Sequence, residues 1–113
     1  MSNRCIIVLF LLTLGLSGYF SSVARGADSP AARGKGLVAK GGCLACHQIR
    51  GEGAQVGPDL SYEGDKRDKS WLIAHFKNPQ SVSPNSIMPP VTLADPDLND
   101  LTAYMLSLTK NAK

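Results

Sequence analysis

The sequence has few residues of the types that form most metal, redox and catalytic sites. Its 113 residues include three cysteines, two histidines and one tryptophan. It contains no phosphate-binding loop, no nucleophile–base pair and no pair of carboxylates that would indicate catalysis. It also lacks a basic patch with interleaved aromatic side chains, so we expect no nucleic-acid partner. Repeats and low-complexity runs are absent too. The alternating pattern that is typical of strands is also absent, which favours an all-α protein.

The first 26 residues have the composition of a secretory signal peptide. Arg4 supplies a positive charge, and residues 6–16 form an uncharged apolar run that small and polar residues follow. Small residues suited to cleavage precede Arg25 and Ala27, so we expect the mature chain to begin at one of these two. The predicted organisation is therefore a signal peptide over residues 1–26 and one small domain over residues 27–113.

An uncleaved membrane anchor is the alternative for this leader. Residues 5–24 carry no charge and are just long enough to span a bilayer, although the hydrophobicity falls after Leu16. Either form exports the rest of the chain, which in a bacterium means the periplasm. The exported domain is nearly neutral, because ten basic and nine acidic residues remain in residues 27–113.

The chemistry of the exported domain is concentrated in Gly42-Cys43-Leu44-Ala45-Cys46-His47. Two cysteines separated by two residues and followed by histidine form the attachment signature of c-type haem. Each thiol can add to one vinyl group of the porphyrin, and the two-residue gap matches the separation of those vinyls. The histidine then lies beneath the iron, where its imidazole can bind.

Three other interpretations of this motif fit the sequence less well. A thioredoxin-like redox pair needs a preceding strand, whereas the residues before Cys43 have a helical pattern. A zinc site needs a second pair of ligands, and only Cys5 and His75 remain. A disulfide across two residues has poor geometry and leaves His47 without a role. We therefore predict one covalent haem c, around which this small chain builds its core and without which it is largely unfolded.

Three helices are predicted from capping residues and apolar spacing. The first opens at Ser29-Pro30, and the second runs from Lys69 to about Lys77 with Asp68 as its cap. The last runs from about Asp95 to about Thr109.

Small residues on the first helix predict a close helix crossing. Gly34 and Gly41 share a face with Leu37 and Val38, and Tyr104 on the last helix is the large residue that Gly34 would receive. A weak, frayed first helix is the alternative, since buried glycines cost stability.

The loop over residues 48–59 is expected to wrap the histidine side of the haem. It is too rich in glycine for regular structure and ends at Gly57-Pro58. A ligand histidine commonly donates its second ring N–H to a carbonyl, and the Pro58 carbonyl is a candidate acceptor for His47. An ordinary loop proline is the equal alternative.

Met88 is the candidate for the sixth ligand of the iron. It lies in residues 79–92, a stretch whose four prolines predict an irregular and conformationally restricted segment. Met105 competes, but its place on the apolar face of the last helix is typical of packing. His75 also competes, although its helical position beside Lys77 favours a partly solvated side chain.

Trp71, the only tryptophan, is predicted to contact the haem. It is either plain core or a core residue whose indole N–H reaches a polar haem edge such as a propionate. We favour the second, because a buried N–H needs an acceptor.

Together these motifs resemble class I, monohaem cytochrome c over residues 30–109. The pieces that carry the resemblance follow in the family's order: Cys43-Leu44-Ala45-Cys46-His47, Gly57-Pro58-Asp59-Leu60, Met88-Pro89-Pro90 and Leu101-Thr102-Ala103-Tyr104. The resemblance implies an all-α fold of three to four short helices around one covalent haem, with a glycine–aromatic contact between Gly34 and Tyr104. It also implies that Pro58 and Leu60 lie at the haem. Val38 departs from the aromatic residue that bacterial members often carry there.

The expected function is one-electron transfer. An iron closed by His47 and Met88 has no open position for substrate, so the Fe(III)/Fe(II) couple itself becomes the function. We expect a monomer that meets redox partner proteins through weak, transient contacts and touches a membrane only through an uncleaved leader. The alternatives are a haem subunit of a membrane redox complex, or a haem sensor or enzyme with an open axial site.

Overall fold

The computed structural model describes residues 28–112, so the predicted leader lies outside the described residues. The described chain contains four α-helices: α1 (Pro30–Lys40), α2 (Lys69–Lys77), α3 (Pro79–Val82) and α4 (Asp95–Ser107). Two 3-10 turns span Cys43–Ala45 and Glu63–Asp65. Within residues 28–112 the extended pairing is limited to one isolated bridge between Ile49 and Glu52, which confirms the all-α prediction. Among the helices of these residues, none has the length and apolar character to cross a membrane.

The helix starts follow from local capping, as predicted. The Ser29 hydroxyl accepts a hydrogen bond from the Ala32 amide at 3.2 Å, and the proline after Ser29 occupies the start of α1. The Asp68 carboxylate accepts from the Trp71 amide at 2.8 Å at the start of α2. Each cap satisfies an amide that has no partner inside the helix.

The segment after α2 is more regular than we predicted. Residues 79–82 form the short helix α3, whereas the four prolines of residues 79–92 had predicted irregular structure throughout. Pro79 stands at the first helical position, where its missing N–H costs no hydrogen bond. The Ser83 amide closes the turn on the Pro79 carbonyl at 3.0 Å. The irregular segment therefore begins only after α3.

The crossing of α1 and α4 is as close as the sequence predicts. A Cβ added at Gly34 would lie 2.0 Å from the Asp100 carbonyl oxygen and 2.8 Å from Tyr104 Cβ. Arg33 reinforces the crossing with two hydrogen bonds to the Asp100 carboxylate, at 2.6 and 2.9 Å. The prediction for Gly41 was wrong, because this residue is exposed at the end of α1, where its N–H donates to the Leu37 carbonyl.

The core is built mainly on α4 and on residues that pack against it. Met105 is only 2% exposed, so it is a packing residue, as predicted. The buried apolar residues are Val38, Ile49, Leu72, Phe76, Leu98, Leu101, Met105 and Leu108. Around them lies a layer of partly buried apolar side chains, which comes partly from the helices and partly from the haem motif, Leu60 and the Met88 segment.

Candidate haem-binding site

The Cys-Leu-Ala-Cys-His motif forms a tight turn directly after α1. Gly42 enters the turn in the left-handed conformation, with φ at +70°, which glycine adopts without strain. The Cys43 carbonyl then accepts hydrogen bonds from both the Cys46 amide at 3.2 Å and the His47 amide at 2.9 Å. The five residues that carry the two thiols and the imidazole therefore form one hydrogen-bonded turn.

The two thiols are free and differ in environment. Cys43 is half-buried and packs against the core, whereas Cys46 is exposed. Burial raises the pKa of the Cys43 thiol, so this sulfur is protonated in the folded chain. Both sulfurs are thus available for thioether bonds to a porphyrin.

The His47 imidazole is oriented by a backbone carbonyl. Its Nδ1 lies 2.8 Å from the Pro58 carbonyl oxygen, the acceptor that we considered from the sequence. Because a carbonyl oxygen can only accept, Nδ1 must carry the ring proton. The Nε2 lone pair is then free to bind iron, and the hydrogen bond makes the imidazole a stronger donor.

Gly57 allows the loop to lie directly against this imidazole. A Cβ at Gly57 would lie 2.7 Å from His47 Cε1 and 2.9 Å from Nδ1, closer than real contacts of this kind. The Gly57 amide also donates to the Cys46 carbonyl at 2.6 Å. The glycine and its hydrogen bond therefore fix both the position of the ring and the approach of Pro58.

Further backbone hydrogen bonds fold the loop back on the motif. The Ala54 amide donates to the Leu44 carbonyl, and the Leu60 amide donates to the Gln48 carbonyl, both at 2.9 Å. Gly53 has φ at +98°, and a Cβ there would lie 2.2 Å from the His47 carbonyl oxygen. A glycine is thus required at this position on both counts.

A polar cluster that we did not predict anchors the far end of the loop. Arg50 has φ at +52°; its amide donates to the Ser61 hydroxyl at 2.7 Å and its guanidinium to the Thr109 carbonyl at 2.6 Å. The Ser61 hydroxyl and amide donate to the Asp59 carboxylate, which lowers the pKa of that carboxyl. The two Arg50 contacts join separate parts of the chain, and no local pattern identifies them.

Met88 is held by fewer contacts. It is half-buried against the core, its amide donates to the Ser86 hydroxyl at 3.2 Å, and the Gln80 amide reaches its carbonyl at 3.3 Å. The same Gln80 nitrogen donates to the Ser86 carbonyl at 2.8 Å. Gln80 was not predicted, because an exposed glutamine on a four-residue helix carries no signal in the sequence.

Trp71 lies in an aromatic stack on α2. The His75 ring stacks on the Trp71 ring with centroids 4.8 Å apart and planes 11° apart, and the Arg67 guanidinium lies 4.0 Å from the Trp71 centroid. Arg67 also approaches the buried carboxylate of Glu63 at 3.7 Å. The contact of the indole N–H with a propionate stays a prediction.

His75 is partly solvated, as predicted, although one of its ring nitrogens is covered. The residue is half-buried, but its Nδ1 is fully covered and has no hydrogen-bond partner in the described part of the chain. Burial lowers the pKa of the imidazole, with Glu63 opposing and His47 and Arg67 assisting that shift. His75 is therefore neutral near neutral pH.

The fold packs four of the predicted site residues against the same core. Cys43, Leu60, Trp71 and Met88 all belong to the partly buried layer around it. Half-exposed apolar side chains together with two free thiols and an oriented imidazole fit a covalently attached haem, which is both apolar and iron-bearing. Within residues 28–112, no group of three or more His, Cys, Asp or Glu side chains forms a site for a bare metal ion.

Comparison with known proteins agrees with this geometry. The family model described as "Cytochrome c" matches residues 31–109, which is nearly all of the described chain. No curated protein matches the chain.

Proposed function

The chain belongs to the cytochrome c family, and from that premise we propose that it is a periplasmic one-electron carrier whose iron is closed by His47 and Met88. Covalent haem c supplies the Fe(III)/Fe(II) couple, with Cys43 and Cys46 as its attachment residues and His47 as a ligand of its iron. What the chain itself contributes is the choice and positioning of the axial ligands.

The observation that carries the proposal is the hydrogen bond between His47 and Pro58. It fixes the tautomer that presents Nε2 to the metal, at a ring against which Gly57 packs. An imidazole held in this way keeps the same geometry in both oxidation states. Small reorganisation on electron transfer is what a carrier needs.

Met88 supports the carrier function over the alternatives. It is a half-buried thioether in the layer of side chains at the candidate site, and thioether ligation stabilises Fe(II) and raises the potential. With both axial positions filled by protein, substrate or gas has no access to the iron. A sensor or enzyme would need one of these positions to open.

The proposal is tested on mature protein purified from a host that attaches c-type haem. We expect an intact mass one haem above that of the processed chain, a one-electron redox titration, and a methionine–sulfur band near the red end of the oxidised spectrum. Absence of that band, together with binding of exogenous ligands by untreated protein, would instead indicate an open-site sensor or enzyme.

Export is tested on the same preparation. N-terminal sequencing is expected to begin at Arg25 or Ala27 in a periplasmic fraction. Retention of residues 5–24 in a membrane fraction would favour the anchored form, and stable co-purification with other chains would favour a subunit of a membrane complex.

Redox partners are proposed to bind weakly and briefly. Two large apolar side chains are exposed next to the predicted ligand segments: Ile87, 90% exposed, beside Met88, and Val56, 68% exposed, beside Gly57. Such side chains offer apolar contact for a short-lived encounter. Electron self-exchange between copies of the protein measures this without a known partner. We expect the Ile87→Ser and Val56→Ser variants to exchange more slowly, with spectra unchanged.

A further inference from the structure

Ser61 is a buried polar residue outside the haem motif, and its hydroxyl is hydrogen-bonded in both directions. The residue is only 4% exposed. The hydroxyl accepts from the Arg50 amide at 2.7 Å and donates to the Asp59 carboxylate at 2.5 Å. The Ser61 amide donates to the same carboxylate oxygen at 2.8 Å. Because a carboxylate only accepts and an amide N–H only donates, these partners leave the hydroxyl a single orientation.

The two partners of this hydroxyl stand at opposite ends of the loop over residues 48–59. Arg50 is near the start of the loop, and Asp59 is its last residue. The Ser61 hydroxyl therefore closes the loop with one group. Between the two partners the loop carries Gly57 and Pro58, which contact the His47 ring.

The Arg50 end of this connection is anchored outside the loop. The guanidinium donates to the Thr109 carbonyl at 2.6 Å and lies 4.9 Å from the centroid of the Tyr62 ring. The backbone of Arg50 has φ at +52°, a conformation that a residue with a side chain keeps only when its surroundings hold it. These contacts hold the Arg50 amide in the place where it meets the Ser61 hydroxyl.

The Asp59 end controls the carbonyl that orients His47. The Pro58 carbonyl and the Asp59 amide belong to one planar peptide group, so this carbonyl cannot turn unless Asp59 moves with it. Asp59 is held at its carboxylate by Ser61 and at its own carbonyl by Lys66 Nζ, which donates at 3.2 Å. The Pro58 carbonyl oxygen lies 2.8 Å from His47 Nδ1. The hydrogen bond from Ser61 thus reaches the acceptor of His47 through a single residue.

We propose that Ser61 is a positioning residue for the histidine ligand: its hydroxyl, held between Arg50 and Asp59, keeps the Pro58 carbonyl in hydrogen-bonding position. This rests on the proposed function, in which His47 binds the iron. A short hydrogen bond from Nδ1–H increases the electron density that the imidazole gives to the metal, which favours Fe(III) and lowers the potential. Loss of the Ser61 hydroxyl therefore weakens that hydrogen bond and raises the potential.

Three variants separate this role from a general contribution to stability. Ser61→Ala removes the hydroxyl, and Ser61→Thr retains it. The matched control is Thr102→Val, which removes another buried hydroxyl; Thr102 is 1% exposed and donates to the Leu98 carbonyl at 2.7 Å within α4. All are compared with wild type as holoproteins of equal haem content. The readouts are the midpoint potential and the rate at which the His47 Nδ1 proton exchanges with solvent, followed by NMR of the reduced protein.

We expect Ser61→Ala to exchange this proton about fivefold faster than wild type, the factor that one net hydrogen bond corresponds to, and to have a higher midpoint potential. Ser61→Thr should retain wild-type values of both, and Thr102→Val should lose stability without changing either. Wild-type values in Ser61→Ala would overturn the proposal. Equal changes in Ser61→Ala and Thr102→Val, a change in only one of the two readouts, or Ser61→Thr behaving like Ser61→Ala would also overturn it.

A second variant decides the proposal if Ser61→Ala does not fold. Asp59→Asn leaves the Ser61 hydroxyl in place but gives it a neutral and therefore weaker acceptor. The His47 Nδ1 proton should again exchange faster than in wild type, and an unchanged rate would overturn the proposal. Wild-type holoprotein whose reduced NMR spectrum lacks the ring-current-shifted resonances of an iron-bound imidazole would instead contradict the proposed function itself.

Discussion

The two sides of the candidate site are held in different ways. On the histidine side, the loop from Cys46 to Leu60 is held by backbone hydrogen bonds and by glycines that only fit at close range. On the methionine side, Met88 depends on two side chains, Ser86 and Gln80, and on the restricted conformations of neighbouring prolines.

This difference indicates which ligand yields first. Backbone hydrogen bonds and close contacts fix the imidazole in one geometry, and the adjacent cysteines tether it covalently to the haem. The methionine segment reaches its geometry mainly because prolines reduce the freedom of the competing states. We therefore expect perturbations of the methionine side to change ligation, and perturbations of the histidine side to change the fold.

The largest effect is expected when the two cysteines that attach the haem are removed, because both sides of the site depend on the haem. The double variant Cys43→Ala/Cys46→Ala cannot form thioether bonds, so the haem is lost on denaturing extraction and the mature chain is largely unfolded. Intact mass and far-ultraviolet circular dichroism measure the two consequences. A well-folded variant without haem would show that the apolar core of the described chain suffices alone.

Next in size is the loss of the sixth ligand. Met88→Ala should abolish the methionine–sulfur band, open the iron to water and lower the potential. The control is Met105→Leu, a volume-conserving core change expected to leave the spectrum intact and to cost under about 1.5 kcal/mol. If the band survives in Met88→Ala and disappears in Met105→Leu, the ligand assignment is wrong.

Gly57→Ala perturbs the histidine side. The new Cβ would lie 2.7 Å from the His47 ring, so ring or loop must shift, at a cost of about 1–3 kcal/mol in the free energy of unfolding. The control is Gly36→Ala, which meets nothing within 4 Å in the middle of α1 and should stabilise slightly. Chemical denaturation of both holoproteins gives the comparison. Equal stability of the two variants would show that the close contact between Gly57 and the His47 ring does not matter for stability.

Gln80→Ala tests the weaker hold on Met88. Loss of the two amide hydrogen bonds should cost at most about 1 kcal/mol and should raise the affinity for exogenous imidazole. The control on the histidine side is Gln55→Ala, which removes only a contact at 3.3 Å to the Gln48 side chain. Ligand titration of the oxidised proteins should distinguish them, and equal affinities would contradict the comparison.

The smallest expected effect is a change in how the stability of the protein depends on pH in acid. The pKa of Asp59 is lowered from its ordinary 3.8, chiefly by hydrogen bonds from Ser61. The folded protein therefore binds a proton at Asp59 less readily than the unfolded chain does. The stability contributed by the ionised carboxylate is present above pH 3.8 and is lost as the pH falls below it. Asp59→Asn should be less stable than wild type near neutral pH, and the difference should shrink in acid. A difference that is constant with pH would contradict this.

The elements that the sequence predicts well are those fixed by local chemistry. The caps at Ser29 and Asp68 and the haem motif depend on residues only a few positions apart, and they are where we predicted them. The close approach at Gly34 was also predicted, because small and large residues stood on facing helices.

Much of what the sequence did not predict depends on contacts between separate segments of the chain. The Arg50 guanidinium meets the Thr109 carbonyl across 59 residues, and Gln80 reaches the Met88 carbonyl from a separate helix. The sequence did not predict α3, because a proline at the first helical position is compatible with a helix but does not by itself indicate one. The sequence also did not predict the covered nitrogen of His75, whose ring stacks on Trp71.

The central claim is that His47 and Met88 close the iron and that Met88 is the ligand that yields. The visible spectrum of oxidised wild-type protein, followed through a denaturant titration beside far-ultraviolet circular dichroism, tests it most directly. We predict a methionine–sulfur band in native protein that disappears at lower denaturant than the helical signal. A native spectrum without that band, or a band that persists until the helices unfold, would contradict the account.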